Sequence, residues 1–403
     1  MRVLAIGNAY PPHHLGGYEV IWRGAMRHLR AEGHAARIVT TGHRSADVGT
    51  DPEDPDVHRE LDWYWRDHEW RALSLPERLR LERHNAAVLD RHLVDFRPDL
   101  VTWWPVGGLS LGLIERTRRA GIPALLFVLD PWPVYGPRHD LWLRTWARLG
   151  PAAAIVGRAT GLPARVDYPK AGRFVFCSRA MREQTLAAGM QIEDSTILTP
   201  GVERRFIDAP RERELPPWRW RLLYVGRVVE QKGVELAIGS LPLLPREAEL
   251  RIVGHGDRPY RGTLERLASQ LGVAQRVHFD GPRPREELLG VYRQADAVVF
   301  PVQWSEPWGL VPLEAMALGR PVAATGRGGS GEYLVDHQNA LLFDPGDSGA
   351  LAGSLRALAD DRELRSRLTA GGYRTAERYS EDAFNRGALE EMVTSWRAAP
   401  RSR

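Results

Sequence analysis

Two glutamates eight positions apart, Glu306 and Glu314, frame the segment of this chain whose residue types could do chemistry. The string PVQWSEPWGLVPLEAMALGRPVAAT (301–325) predicts a strand ending at Pro301, then a loop holding Ser305, Glu306, Pro307, Trp308 and Gly309. A helix follows from near Leu310 to Leu318, stopped by Gly319 and Pro321. Pro312 falls in its first turn, where a missing N–H costs little. The first amides of a helix have no intrahelical acceptor and sit at the positive end of the dipole, so those of Leu310 and Val311 suit a phosphate. Gly309 lets the backbone approach such a ligand closely. A carboxylate repels a phosphate, so the two glutamates have another use. Each can accept hydrogen bonds from hydroxyls, and one carboxylate can take both hydroxyls of a vicinal diol. A phosphate between two hydroxyl-bearing rings is the outline of a nucleotide sugar. Taken alone, the same residues also read as an acid favouring a helix N-terminus (Glu314) and an exposed loop acid (Glu306).

Other residues point the same way. LLYVGRVVEQKGVELAI (222–238) predicts strand, loop and helix, with Arg227 and Lys232 in the loop. Two cations at the carboxyl edge of a strand can neutralise a diphosphate and stabilise it as it leaves. Only Lys170 and Lys232 are lysines among 55 basic residues, so a lysine here stands out against an arginine background. Near the start, NAYPPHHLGGYEV (8–20) sets Gly16 and Gly17 before a helix, a weak phosphate signal by itself. His13 and His14 read as loop residues, and too few ligands assemble around them for a metal site.

These loops need strands and helices to hold them. Apolar runs at 2–7, 35–41, 99–104, 123–129 and 173–178 alternate with helical patterns at 17–34, 109–120 and 179–189. The alternation restarts with runs at 221–226, 249–254, 276–281, 296–301, 321–325 and 340–344. Strands alternating with helices imply parallel, doubly wound sheets, and a chain of 403 residues exceeds what one core usually serves. The expected organisation is one α/β domain over 1–200, a Pro- and Arg-rich linker over 201–220 and a second α/β domain over 221–379. A last helix at 380–397 is expected to cross back to the first domain. The stretch 59–84 mixes Trp with Arg and reads as an amphipathic helix with its Trp inward, or as an acceptor-facing or interfacial surface.

Composition narrows the function class. The chain is 43% hydrophobic and 26% charged, ordinary for a soluble globular protein. A net charge of +4 with scattered arginines gives no basic stripe, so nucleic acid is not an expected partner. The apolar run after Met1 is too short for a signal peptide and reads as a first strand, and no run is long enough to span a membrane. A single cysteine, Cys177, excludes an internal disulfide framework and fits the cytoplasm. Nothing supports association with a membrane surface.

With those residues in view, the segment E-P-W-G-L-V-P-L-E-A-M-A-L-G-R-P-V resembles the Glu-x7-Glu motif of retaining GT-B glycosyltransferases, and its surroundings resemble glycosyltransferase family four. The resemblance is strong over 221–347 and moderate before. It implies a GT-B fold, two Rossmann-like doubly wound domains facing across a cleft. It implies that Glu306 contacts donor-sugar hydroxyls, that Glu314 holds the ribose, and that the Leu310 and Val311 backbone contacts the diphosphate. Arg227 and Lys232 match the segment G-R-x4-K-G that grips the diphosphate. Gly281, Pro282 and Arg283 fall where the nucleobase lodges, and the Gly16–Gly17 loop reaches the diphosphate and acceptor. The glycine-rich stretch 326–347 closes the domain, with Glu332 as a helix cap or ligand contact.

One position departs from the pattern. Where the family carries His-Asp at the end of a mid-domain strand, this chain has Leu129 and Asp130. Asp130 then reads as an acceptor-positioning residue or as a turn residue before Pro131, with His139 as another source of a polar contact. The implied reaction is metal-independent, cofactor-free, retaining transfer from a nucleoside diphosphate sugar, UDP by family frequency, to a small molecule, lipid carrier or glycan. A nucleotide-sugar epimerase of the same architecture and a non-catalytic nucleotide-sugar-binding subunit are the competing readings. An NAD enzyme is disfavoured, because GNAYPPHHLGG and not G-x-G-x-x-G follows the first strand.

Overall fold

A computed structural model of the chain describes residues 1–13, 16–44, 54–66, 69–212 and 214–398. His14 and residues 67–68 of the Trp- and Arg-rich stretch lie outside the described residues. The chain divides into two compact units, one of Met1–Thr199 with the residues from Phe384 onward, the other of Pro200–Ala383.

The first unit is built on the strands β1 (Arg2–Gly7), β2 (Ala35–Thr41), β3 (Val57–Leu61), β6 (Leu100–Trp103), β7 (Ala124–Val128), β8 (Arg173–Phe176) and β9 (Ser195–Ile197), with a separate hairpin of β4 (Trp65–Arg66) and β5 (Glu69–Trp70). The seven-stranded sheet runs β3-β2-β1-β6-β7-β8-β9 and every pairing in it is parallel. Parallel strands are covered on both faces, which is why they appear as continuous apolar runs; Val3, Leu4, Ala5 and the whole of β7 are buried. In the helix Gly17–Ala31, Val20, Trp22, Ala25, Met26 and Leu29 turn inward. Ile21 is only half-buried.

The stretch 59–84 is not one helix. Its first residues complete β3, the Trp-rich part forms the hairpin, and a helix begins only at Leu75. Ser74 sets that start: its amide donates to Glu77 Oε2 at 2.7 Å, a reciprocal cap that fixes the first turn. Upstream, Trp63 and Tyr64 are buried, so the inward-facing aromatics pack from an extended chain.

The second unit carries β10 (Arg221–Val225), β11 (Glu249–Val253), β12 (Val277–Gly281), β13 (Ala297–Phe300), β14 (Val322–Ala324) and β15 (Leu341–Leu342) in the parallel order β12-β11-β10-β13-β14-β15. The order reverses between β10 and β13, and such a switch point is where α/β sheets bind ligands, beyond the carboxyl ends of the strands. The helices Val234–Ser240, Arg258–Gln270 and Ser348–Asp360 pack as one group, and Val311–Ala317 packs with Arg362–Arg378.

The stretch read as a linker begins inside this unit. The Val202 amide donates to the Tyr379 carbonyl at 2.9 Å, and a short helix, Arg204–Ile207, buries Phe206 edge-on against Tyr292 at 6.0 Å. The last helix, Glu381–Ala398, begins here, and from Phe384 onward it groups with the first unit. There Arg173 Nε meets Glu391 Oε2 at 3.1 Å.

Candidate donor site in the second unit

The loop after β10 and the loop after β13 leave neighbouring strands on either side of the switch point. The first contains a short 3-10 turn, Glu230–Lys232, whose Gln231 carbonyl accepts from the Gln303 amide at 2.9 Å. Gly233 closes that turn at φ +70°, and a Cβ there would lie 1.9 Å from the Pro301 carbonyl oxygen. Only glycine allows the two loops to sit this close. The contact brings Lys232 to Glu306: Nζ donates to Oε1 at 2.9 Å and to Oε2 at 2.7 Å. Trp304 Nε1 donates to the same Oε2 at 2.7 Å, and the ammonium lies 5.6 Å from the Trp304 ring centre. The side chains are 14% and 8% exposed, so the pair is largely withdrawn from water. The Glu306 carbonyl accepts from the Gly329 amide at 2.7 Å, tying the glycine-rich loop to the acid.

Gly309 takes φ +86°, and a Cβ would come within 2.9 Å of the Phe300 ring. Its carbonyl accepts from the Tyr333 hydroxyl at 2.5 Å. Leu310 and Val311 follow half-exposed, and the helix runs Val311–Ala317, one residue inside the expected limits at each end. Trp308 is buried between Tyr333 and Tyr379, at 4.9 and 5.2 Å between ring centres, and so anchors the turn.

Glu314 is buried, and both of its oxygens are engaged by the protein. Arg285 Nη2 donates to Oε1 at 2.7 Å and the Tyr292 hydroxyl to Oε2 at 2.6 Å. Arg285 also pairs with Glu203. Burial by itself lowers the Arg285 pKa, but the facing carboxylates of Glu314 and Glu203 outweigh it and the net shift is upward. Burial, with Glu314 alongside, pushes the Tyr292 hydroxyl well above its ordinary value. The sequence reading missed Arg285. The string RPREE (283–287) holds two arginines, and the structure turns Arg285 inward while Arg283, exposed, lies 3.6 Å from Glu287.

Arg227 is exposed and makes no ion pair among the described residues, while its carbonyl accepts from the Tyr224 hydroxyl at 2.6 Å. Beside that loop lies a hollow lined by Val228, Gly254, Gly256, Phe279, Gly281 and Pro282 among others. Gly281 and Pro282, expected at the nucleobase, line it; Arg283 does not.

The remaining expected residues lie in the first unit. Gly16 and Gly17 are exposed and open the helix after β1, and the Gly16 amide donates to Glu19 Oε2 at 3.1 Å. Asp130 holds a turn: its carboxylate accepts from the Tyr135 hydroxyl at 2.8 Å and from the Trp132 amide at 3.3 Å. Beside Leu129, the sequence reading missed Tyr18. Its hydroxyl accepts from the Leu129 amide at 3.3 Å and donates to the Phe127 carbonyl. Burial, followed by the charge of Asp130, drives its pKa well up. A neutral phenol thus stands at the strand end where a His was expected. His139 stacks on Trp70 at 3.8 Å, and burial, then Arg144 and Arg138, lower its pKa.

Two parallel, doubly wound sheets with this loop chemistry define the GT-B class of glycosyltransferases. Residues 15–206 match the family described as Glycosyltransferase Family 4, and residues 207–375 match Glycosyl transferases group 1. The D-inositol 3-phosphate glycosyltransferase of Corynebacterium efficiens is 34% identical over 303 residues, 67% of this chain and 71% of that protein. A glycogen synthase of Mycobacterium tuberculosis is 27% identical over 401 residues, covering 92% of this chain and 90% of its own. Among solved structures, Anabaena HepE in complex with UDP aligns with a TM-score of 0.67 at 17% identity, over 98% of this chain and 100% of that one. The sucrose-phosphate synthase of Thermosynechococcus elongatus aligns with a TM-score of 0.72 at 19% identity, over 98% and 99%. The chain belongs to the family-four glycosyltransferases and has their GT-B fold. Among the described residues, no helix is long and apolar enough to cross a membrane.

Proposed function

We propose that the protein transfers a sugar from a nucleoside diphosphate sugar to a hydroxyl acceptor with retention of anomeric configuration, using no metal and no further cofactor. The observation that carries this is the Lys232–Glu306 pair, held beside Gly309 at the switch point of the second unit. Lys232 and the exposed Arg227 meet the diphosphate, with the Leu310 and Val311 amides on its other oxygens. Positive charge placed before the reaction stabilises the departing phosphate without reorganisation. Glu306 balances the ammonium until donor arrives and then accepts hydroxyls of the transferred sugar. Glu314, fixed by Arg285 and Tyr292, keeps lone pairs for the ribose diol, since a carboxylate can accept more hydrogen bonds than these two. The hollow at Gly281 and Pro282 receives the base, with Arg283 at its edge.

UDP is the proposed nucleotide, supported by the complexes of structurally similar Anabaena HepE with UDP and UDP-glucose. Gly16 and Gly17 serve the diphosphate and the acceptor, and Asp130 orients the attacking hydroxyl. The departing phosphate takes the acceptor proton, so Leu129 in place of His is tolerated. The protein acts in the cytoplasm, where nucleotide sugars are made.

Thermal-shift titration with UDP, GDP, TDP and ADP sugars tests the donor, because a ligand held only by the folded state raises the melting temperature. Proton NMR of the product then reads the anomer. An inverted product sinks the retaining mechanism; turnover of donor with no acceptor present sinks the transferase reading in favour of an epimerase.

A further inference from the structure

The first unit holds a cluster that the donor site does not use. His58 and Glu60 lie two residues apart on the edge strand β3, where a register shift against β2 falls at Glu60. His92, on the helix Leu75–Phe96, packs against that strand, and its ring lies edge-on to His58 at 4.7 Å between centres. One ligand atom from each of the three lies within 4.8 Å of the other two. His92 Nε2 is 3.1 Å from Glu60 Oε2, and His58 Nδ1 is 3.6 Å from Glu60 Oε1.

The far side of His58 is fixed. Its Nε2 lies 2.6 Å from Asp56 Oδ1, and Asp56 is itself held by Arg37 Nε at 3.2 Å. With Nε2 turned to Asp56, the Nδ1 edge of the His58 ring faces the Glu60 carboxylate. A carboxylate behind a histidine is also the usual support of a metal-ligating ring, fixing its tautomer and raising its basicity. His92 is buried and approaches the cluster from the helix side.

The geometry points to a transition-metal site formed by His58, Glu60 and His92, of the Zn2+ class, clamping β3 to the helix Leu75–Phe96. Two imidazoles and one carboxylate suit Zn2+, Co2+ or Ni2+ rather than Mg2+ or Ca2+, which favour all-oxygen shells. Zinc–ligand bonds of about 2.0–2.1 Å set tetrahedral ligand atoms about 3.4 Å apart, so the three groups need only small side-chain rotations. Half-exposed His58 and Glu60 leave a side open for water as the fourth ligand. Arg91 Nη2 contacts Glu60 Oε2, but its side chain is 52% exposed and can leave for solvent at little cost. The site is separate from the transfer chemistry, and its metal stabilises the fold of the first unit.

The test uses the full chain, stripped with a chelator and titrated with ZnCl2 and MgCl2 by calorimetry and thermal shift at pH 7.5. One Zn2+ per chain is expected, with a melting temperature raised by about 5 °C at a hundredfold excess over Kd and no response to Mg2+. His58→Ala should weaken Zn2+ binding at least tenfold, and so should Glu60→Gln. His92→Ala removes a buried ring and can fail to fold; the two exposed-side variants, checked by circular dichroism, decide the matter without it. Absence of Zn2+ binding at micromolar concentration overturns the site. Wild-type affinity in folded His58→Ala and Glu60→Gln overturns it equally.

Discussion

Replacing Lys232 by Ala separates the structural from the chemical role of the pair it forms with Glu306. The two side chains are 14% and 8% exposed and share two hydrogen bonds of 2.7 and 2.9 Å. Removing one member of a buried ion pair leaves the other charged and short of partners, a loss of about 3–5 kcal/mol. Trp304 Nε1, at 2.7 Å, still donates to Glu306, so the low end applies, about 3 kcal/mol. For a unit of this size that lowers the melting temperature by roughly 6–12 °C. The double variant Lys232→Met with Glu306→Leu removes both charges and fills the space, so its stability should return to within about 1 kcal/mol of wild type. Activity should not return with it. Loss of a cation facing the departing diphosphate should cut kcat by about a hundredfold or more in Lys232→Ala and in the double variant alike. Chemical denaturation measured beside a coupled assay for released nucleoside diphosphate gives both readings. Wild-type kcat in Lys232→Ala or in the double variant refutes the site; a double variant as unstable as Lys232→Ala refutes the assignment of that instability to an unpaired carboxylate.

Three further perturbations probe other parts. Glu314→Ala should raise the Kd for UDP at least tenfold in a calorimetric titration, and unchanged affinity counts against the ribose contact. Gly309→Ala forces a side chain into φ +86° and to 2.9 Å from the Phe300 ring, so it should cost about 1–3 kcal/mol and weaken donor binding by shifting the Leu310 and Val311 amides. In the first unit, burial and then the nearby Asp140 push Glu82 up to about 8, with the Tyr64 hydroxyl donating to it at 2.5 Å, and burial raises Asp140 to about 6. A folded-state pKa above the unfolded value stabilises the fold fully below the unfolded pKa, and the gain is lost as pH rises through the folded one. Stability of the wild type should therefore fall from about pH 4.5 to about pH 8, by at least about 1 kcal/mol in urea titrations, and Glu82→Gln should flatten that slope. Parallel slopes for the two proteins contradict the assignment.

The sequence alone determined what short-range rules govern. Buried parallel strands need apolar residues on both faces, so the runs at 2–7, 221–226 and 296–301 located β1, β10 and β13 to within a residue or two. The turn from Glu306 to Glu314 was legible because a strand end, Gly309 and Pro312 act within a few residues of one another. The Trp- and Arg-rich stretch was misread as one helix because aromatic spacing does not separate a half-buried hairpin from a helix face; the cap at Ser74 settled it. Only the tertiary structure decided which groups meet. Lys232 and Glu306 come from loops 74 residues apart, joined because β10 and β13 are neighbours in the sheet. Arg285 rather than Arg283 reaches Glu314, Tyr18 stands beside Leu129, and His92 faces His58 and Glu60. Strand order and helix packing fix those partners through burial summed over a whole domain, and no local pattern of residues records that sum.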